Sequence, residues 1–243
     1  MKETGIIMSG SHPRLILLGK KTMTRRTWGL EKINEDPDRW VKCSPLTPID
    51  VSNPNSPVVC STLWQFEAKD GELLVVKCPY GQVGDWLWCK EIWAISSFSA
   101  NFTKEQQLQV AYKAGVKDID HPDGMDHDLE WRNVDYQTWQ KYAQQKYRSW
   151  HSPRFMPRWA CRITREIKTL RAERLQEITE EDAEAEGLKY HIDDFQPGCS
   201  YMVTAREKFR DLWDSLNEKR YPWRANPWVW PIGWSNETVK VGQ

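Results

Sequence analysis

The chain has 243 residues with 34 basic and 34 acidic side chains, a formal net charge of zero. That length accommodates a sizeable core in one domain with insertions. Balanced charge excludes a global field for nucleic acid. The lack of a leader-like or membrane-length apolar run points to a cytoplasmic protein with no membrane partner.

In chain order, Gly5 to Ser9 reads as a strand and Ser11 to Leu18 as a short amphipathic helix. Ser11 suits the N-cap, Pro13 the first turn and Gly19 the C-terminal cap. Next comes an octet, Gly19-Lys-Lys-Thr-Met-Thr-Arg-Arg26, which gathers four basic and two hydroxyl side chains at a helix exit. Residues 29–63 are rich in Pro, Asp, Asn and Ser and read as an irregular insertion. Trp64–Ala68 and Glu72–Lys77 flank Lys69-Asp70-Gly71 and form a hairpin. After a Gly84-Asp85 turn, Trp86 to Trp93 reads as one strand containing Glu91.

Residues 98–150 form a second insertion or elaboration, with an edge strand at Val110-Ala-Tyr-Lys113. Trp159 to Leu170 alternates as a strand, and Thr179-Glu-Glu-Asp182 opens a short helix that Gly187 ends. Tyr201 to Arg220 places Phe209, Leu212, Trp213 and Leu216 near helical spacing, and Trp228 to Ile232 is a closing strand. Pro231 argues that this strand is an edge or carries a bulge. Several short strands with few helices predict an α+β chain, a single domain over 1–243 built on a small β-barrel with flanking helices.

Local composition adds to this. Lys141 to Arg165 holds seven Lys or Arg and no acid, while Glu166 to Asp194 holds ten acids and four basic residues. In the first stretch Arg148, Arg154, Arg158, Arg162 and Arg165 interleave with Tyr147, Trp150, Phe155 and Trp159, the composition of a single-strand binding surface. The competing expectation is that these arginines pair with the acidic stretch that follows. The six cysteines include no Cys-x-x-Cys pair, so reduced thiols are expected. A zinc site from Cys43, Cys60, Cys78 and Cys89 has the wrong spacing, His12 and His151 are too isolated to argue metal, and no cofactor is expected. Of the fifteen tryptophans most must fill the core and its rim, since one pocket stacks on only a few.

The octet, the Gly84-Asp-x-Leu-Trp-x-x-Glu91 segment and Trp228-Val-Trp230 together resemble the ASCH domain family. The likeness is greatest to its phage and prophage branch, in which Met156-Pro-Arg-Trp-Ala160, Leu175-Gln-Glu-Ile-Thr-Glu-Glu-Asp-Ala183 and Asn226-Pro-Trp-Val-Trp230 are typical in that order. The resemblance implies a PUA-like β-barrel whose cleft beside the first helix takes nucleic acid or a nucleobase. One branch of small bacterial ASCH proteins hydrolyses N(4)-acetylcytidine to cytidine and acetate, using a Lys and a Thr of Gly-x-Lys-Thr-x-Thr-x-Arg and a Glu of a later short helix. The matching positions here are Lys21, Thr24 and Glu186, the last by its place in the Asp182–Glu186 helix. This chain departs in its length, its Trp-rich insertions and Arg25, where an apolar residue is usual.

Amide hydrolysis needs a nucleophile, a base and a group to stabilise the oxyanion. Thr24 offers the hydroxyl, and Lys21 is a base only if burial or neighbouring Lys20, Arg25 or Arg26 lowers its pKa. Glu186 would orient the amine or move the proton to the leaving nitrogen. Alternation requires Lys21 to precede the strand if it is to share a pocket with Thr24. Arg25 and Arg26 suit a phosphate or a wall carboxylate. Glu91 either pairs with an arginine such as Arg26 or points into the cleft. Three functions remain: a cytosine-like nucleobase or nucleoside site with amidohydrolase chemistry, a non-catalytic RNA or single-stranded nucleic-acid binding module using Arg154, Arg158, Trp159 and Arg162, and, more weakly, a ribonuclease.

Overall fold

The computed structural model describes residues 1–45, 63–99, 106–115, 128–144, 149–188 and 203–236. From the N-terminus these form β1 (Glu3–Ile7), α1 (His12–Leu17), β2 (Met23–Arg26), β3 (Trp40–Pro45), β4 (Leu63–Ala68) and β5 (Leu73–Lys77). The middle of the chain gives β6 (Trp86–Lys90), β7 (Trp93–Ser99), β8 (Gln106–Tyr112), β9 (Asp128–Val134) and α2 (Tyr136–Ala143). The last third gives β10 (Thr164–Leu170), β11 (Glu173–Arg174), α3 (Glu180–Ala185), α4 (Ala205–Asn217) and β12 (Trp228–Trp234). The protein is thus α+β, mostly sheet with few helices. Within neither of its two compact units do the described strands close into a barrel.

The first unit comprises residues 1–2, 20–86 and 166–236. Its organising element is β12, whose seven residues are all buried, as a continuous aromatic and aliphatic run requires. On one side β12 pairs antiparallel with β2, Ile232 opposite Thr24 and Trp230 opposite Arg26. On the other it pairs with β10 and with β11, Leu170 opposite Ile232 and Glu173 opposite Val229. The expectation of an edge at Pro231 is therefore corrected. The strand is central, the irregularity lies in β10 between Ile167 and Thr169, and the Pro231 carbonyl still accepts from Arg171 N at 3.3 Å. A side chain at Gly233 would meet Thr169 Oγ1 at 2.3 Å, so the strands approach as they do only because that residue is glycine.

The meander β3-β4-β5 lies in the same unit, and the expected hairpin is its second half, turned at Gly71 with φ +84°. Strand β4 buries Trp64, Phe66 and Ala68 on one face. Phe66 meets Trp228 edge-on at 5.0 Å and Trp64 lies 5.8 Å from Trp230. Helix α4 starts at a capping box between Thr204 and Glu207 and buries Ala205, Phe209 and Trp213 against Leu175, Ile178, Ala183 and Val229.

The second unit comprises residues 3–19, 87–165 and 237–243. In it β8 runs between β7 and β9 in an antiparallel meander. The edge strand expected at Val110–Lys113 is instead central. Its outer neighbour β9 alternates half-buried and exposed residues after Asp128, and its polar composition (Asp-Leu-Glu-Trp-Arg-Asn-Val) conceals it in the sequence. Trp93, Ile95, Leu108, Val110, Tyr112 and Met156 form the core, with Trp139 and Tyr142 of α2 packed on it.

Two further strand boundaries differ from expectation. Trp86 to Trp93 is not one strand: it breaks at Glu91 and Ile92, because β6 neighbours β1 while β7 turns to β8. Trp159 belongs to a 3-10 turn, Arg158–Ala160, entered from Pro157, and the strand begins only at Thr164. Residues 40–45 form β3 within the 29–63 insertion, while 46–62 lie outside the described residues. Among the described residues no helix is long and apolar enough to cross a membrane.

Candidate functional site

The octet divides at Gly19, which takes φ +68° after α1 as its C-terminal role predicts; the expected Ser11 cap makes no side-chain hydrogen bond. Lys20 is exposed, whereas Lys21 is only 1% exposed. Lys21 precedes β2, as a shared site with Thr24 demands. The segment is fixed by Thr22 N donating to Ala185 O at 2.8 Å and by Trp234 N and Nε1 donating to Thr22 O and Lys21 O. These bonds set the octet against the C-terminal end of α3.

That helix forms as its sequence predicts, with the Thr179 hydroxyl accepting from Asp182 N and Gly187 at φ +95° after it. Glu186 closes it. Lys21 Nζ donates to the Glu186 carboxylate at 2.5 Å and to the Glu186 carbonyl at 2.8 Å. A cation at a helix C-terminus also suits the exposed carbonyls there. Burial pushes the Lys21 ammonium below its ordinary value against the opposing pull of Glu186, and the cations Arg26 and Arg25 add to the depression.

Arg25 is equally buried. Its Nη2 donates to Glu173 at 2.8 Å and Asp182 at 2.6 Å, and its Nη1 lies 3.5 Å from Glu186 Oε1. Arg171 donates to the same Glu173 and Asp182. The result is a cluster of Lys21, Arg25 and Arg171 against Glu173, Asp182 and Glu186. Within it, Arg25 Nε and Glu186 Oε1 are buried without a hydrogen bond among the described residues. Thr24 is buried on β2, but among the described residues its hydroxyl makes no hydrogen bond to Lys21 or Glu186. Arg26 is half-buried on the same strand opposite Trp230.

The remaining predicted residues lie in the second unit. Glu91 pairs with an arginine, Arg162. Its two carboxylate oxygens accept from Arg162 Nε and Nη2, both at 2.9 Å. Arg162 also donates to Asp128 at 2.6 Å and to Ala114 O at 2.7 Å, and stacks over Tyr112 at 4.2 Å. Burial pushes the Glu91 carboxyl above the usual carboxylate range, only partly offset by Arg162. Arg158 pairs with Glu3 at 2.7 Å, Arg154 is exposed, and Trp159 packs edge-on against Trp93 and Tyr142. The described partners of Arg158 and Arg162 are thus Glu3, Glu91 and Asp128, not the acidic 166–194 stretch. Arg148 and Tyr147 lie outside the described residues.

Sequence reasoning missed Glu173, Asp182 and Arg171. Asp182 was within reach, since it stands four residues before Glu186 on one helix face. Glu173 and Arg171 carry no local signal, because only the β11–β12 pairing brings them to Arg25. Cys60 of the conceivable zinc set is outside the described residues. Among those described, no group of three or more His, Cys, Asp or Glu is arranged to hold a metal ion. No protein-family model matches the chain, and neither a curated protein nor a solved structure does.

Proposed function

We propose that this is an ASCH-type, PUA-like protein that recognises a cytosine-like nucleoside and hydrolyses the amide of an N(4)-acylated cytidine. The observation that carries the reading is the buried Lys21–Glu186 pair, joined at 2.5 Å, in which burial lowers the lysine pKa. A buried amine whose proton is held less tightly can give that proton up and take one back, which a base that must later act as an acid requires.

In the proposed reaction the Lys21 amine takes the Thr24 hydroxyl proton as that oxygen attacks the acyl carbonyl. The tetrahedral intermediate collapses as the C–N4 bond breaks and the proton passes to N4, releasing cytidine. Water, deprotonated by the same amine, then cleaves the acyl ester to the carboxylic acid and restores Thr24. Arg25, with a buried Nε lacking an acceptor, is the donor available to the oxyanion.

The test is cytidine release from N(4)-acetylcytidine, followed chromatographically, for the wild type and for Lys21→Ala and Thr24→Val variants that retain wild-type circular dichroism. Removing a general base costs about 10²–10⁴ in rate, so Lys21→Ala should lose release by that factor. Absence of turnover by the wild type, or equal turnover in Lys21→Ala, sinks the reading. Saturable cytidine binding without turnover would leave the non-catalytic binding module in its place.

A further inference from the structure

An antiparallel sheet lying on a core ordinarily turns apolar side chains inward and charged ones to water. Strand β9 of the second unit does the reverse. Asp128, Glu130 and Arg132 stand opposite Tyr112, Val110 and Leu108, on the face that covers the core. There Asp128 accepts from Arg162, and Arg132 donates to Glu130 and to the Tyr112 hydroxyl. The outer face carries Leu129, Trp131 and Asn133, with Leu129 41% and Trp131 47% exposed. Beside Trp131 and Asn133 on β8 lie Gln109 and Gln107, and beside those on β7 lie Ser97 and Ser99. Among the described residues no Lys, Arg, Asp or Glu shares that face of the three strands.

We propose that this outer face binds a neutral, flat oligosaccharide of β-1,4-linked pyranoses. The negative π-face of an exposed indole attracts the weakly positive axial C–H groups of such a sugar, and both surfaces leave water. The hydroxyls at the sugar's edge each donate and accept. Gln107 Nε2 donates to Asn133 Oδ1 at 2.8 Å, which fixes both amides and leaves Gln107 Oε1 to accept and Asn133 Nδ2 to donate. This couple stands two residues along β9 from Trp131, about 6.8 Å at the usual rise of a strand. A ring stacked on the indole therefore carries the hydroxyls of the next ring to the amides. Two other occupants fit less well. A nucleic-acid strand needs cations for its phosphates, which these strands do not offer on this face. A protein partner needs roughly 800 Å² on each side. Three strands about 4.8 Å apart, each open over about five residues, provide roughly 240 Å².

The face shares no residue with the Lys21–Glu186 cluster, so its test bears on this proposal alone. Isothermal titration calorimetry of the full chain with cellotriose, tri-N-acetylchitotriose and a single-stranded oligonucleotide provides it, the two sugars distinguishing a glucan from an acetylated amino-sugar polymer. The expected result is saturable binding of at least one trisaccharide, weakened by about tenfold or more in a Trp131→Ala variant that keeps wild-type circular dichroism. Asn133→Ala, which removes the donor and frees Gln107, should weaken it by about two- to fivefold and gives a second reading should Trp131→Ala not fold. No saturable binding of either trisaccharide, affinity unchanged in either variant, or Trp131-dependent preference for the oligonucleotide would each overturn the proposal. A Trp131-dependent dimer in sedimentation velocity would overturn it in favour of a second copy of the chain.

Discussion

In the first unit Lys21, Arg25 and Arg171 face Glu173, Asp182 and Glu186, whereas in the second Arg162 donates to both Glu91 and Asp128. Both clusters are buried and built from the same side-chain chemistry, yet burial acts on opposite partners. In the first it depresses a lysine, and in the second it raises a carboxyl. The difference lies in the kind of cation. Arg162 holds Glu91 through two parallel hydrogen bonds and stays charged, so the excess burial cost falls on the acid. Lys21 is a point charge that can give up its proton, and neighbouring arginines encourage it to do so. A permanently charged fork makes a structural clamp. A buried lysine balanced by one carboxylate is suited to proton transfer.

The comparison can be broken first at Arg162. Arg162→Met removes the cation to which both Glu91 carboxylate oxygens are bonded, so stability should fall by about 3–5 kcal/mol, measured by urea unfolding. Lys21→Met should cost less, about 1–3 kcal/mol, because Arg25 remains 3.5 Å from the orphaned Glu186. Equal losses would mean that the two clusters are alike and that the kind of cation does not matter.

Their pH dependence should differ in sign. Glu91 has a raised pKa, so the folded state binds its proton more tightly than the unfolded state does. Its contribution is present below the ordinary value of 4.5 and is lost as pH rises through the raised folded value. Relative to Glu91→Gln, the wild type should therefore lose stability as pH climbs from 4.5. Lys21 behaves oppositely: its contribution is present above 10.5 and is lost as pH falls through the lowered folded value, so the wild type should gain on Lys21→Met as pH rises. Thermal unfolding across pH checks both slopes. The smallest effect belongs to the half-exposed Arg158–Glu3 pair, where Arg158→Ala should cost no more than about 1 kcal/mol.

How much of this was legible in the sequence depends on the range of the interactions involved. The caps of α3, the β4–β5 hairpin and the position of Lys21 before β2 are set by residues a few places apart, and they appear as expected. The central position of β12 and β8 is not written locally. Pro231 signals an edge, yet its carbonyl is still used and its neighbours bury both faces. Strand β9 is hidden by its own polarity. For the site, Lys21 and Glu186 were brought together by motif and helix position. The carboxylates that hold Arg25 come from β11 and from the start of α3, distances along the chain that no periodicity reports. Glu91 was expected to pair with an arginine or to point into the cleft, and it pairs with Arg162 where the chain changes sheets.

The account turns on Lys21 being a buried amine whose proton is loosely held. Titrating Lys21 in the intact protein by NMR of isotopically labelled lysine, assigned through Lys21→Arg, measures this directly. The account predicts a midpoint below the ordinary 10.5; a midpoint at or above that value would contradict it and leave the pair with Glu186 as a structural salt bridge.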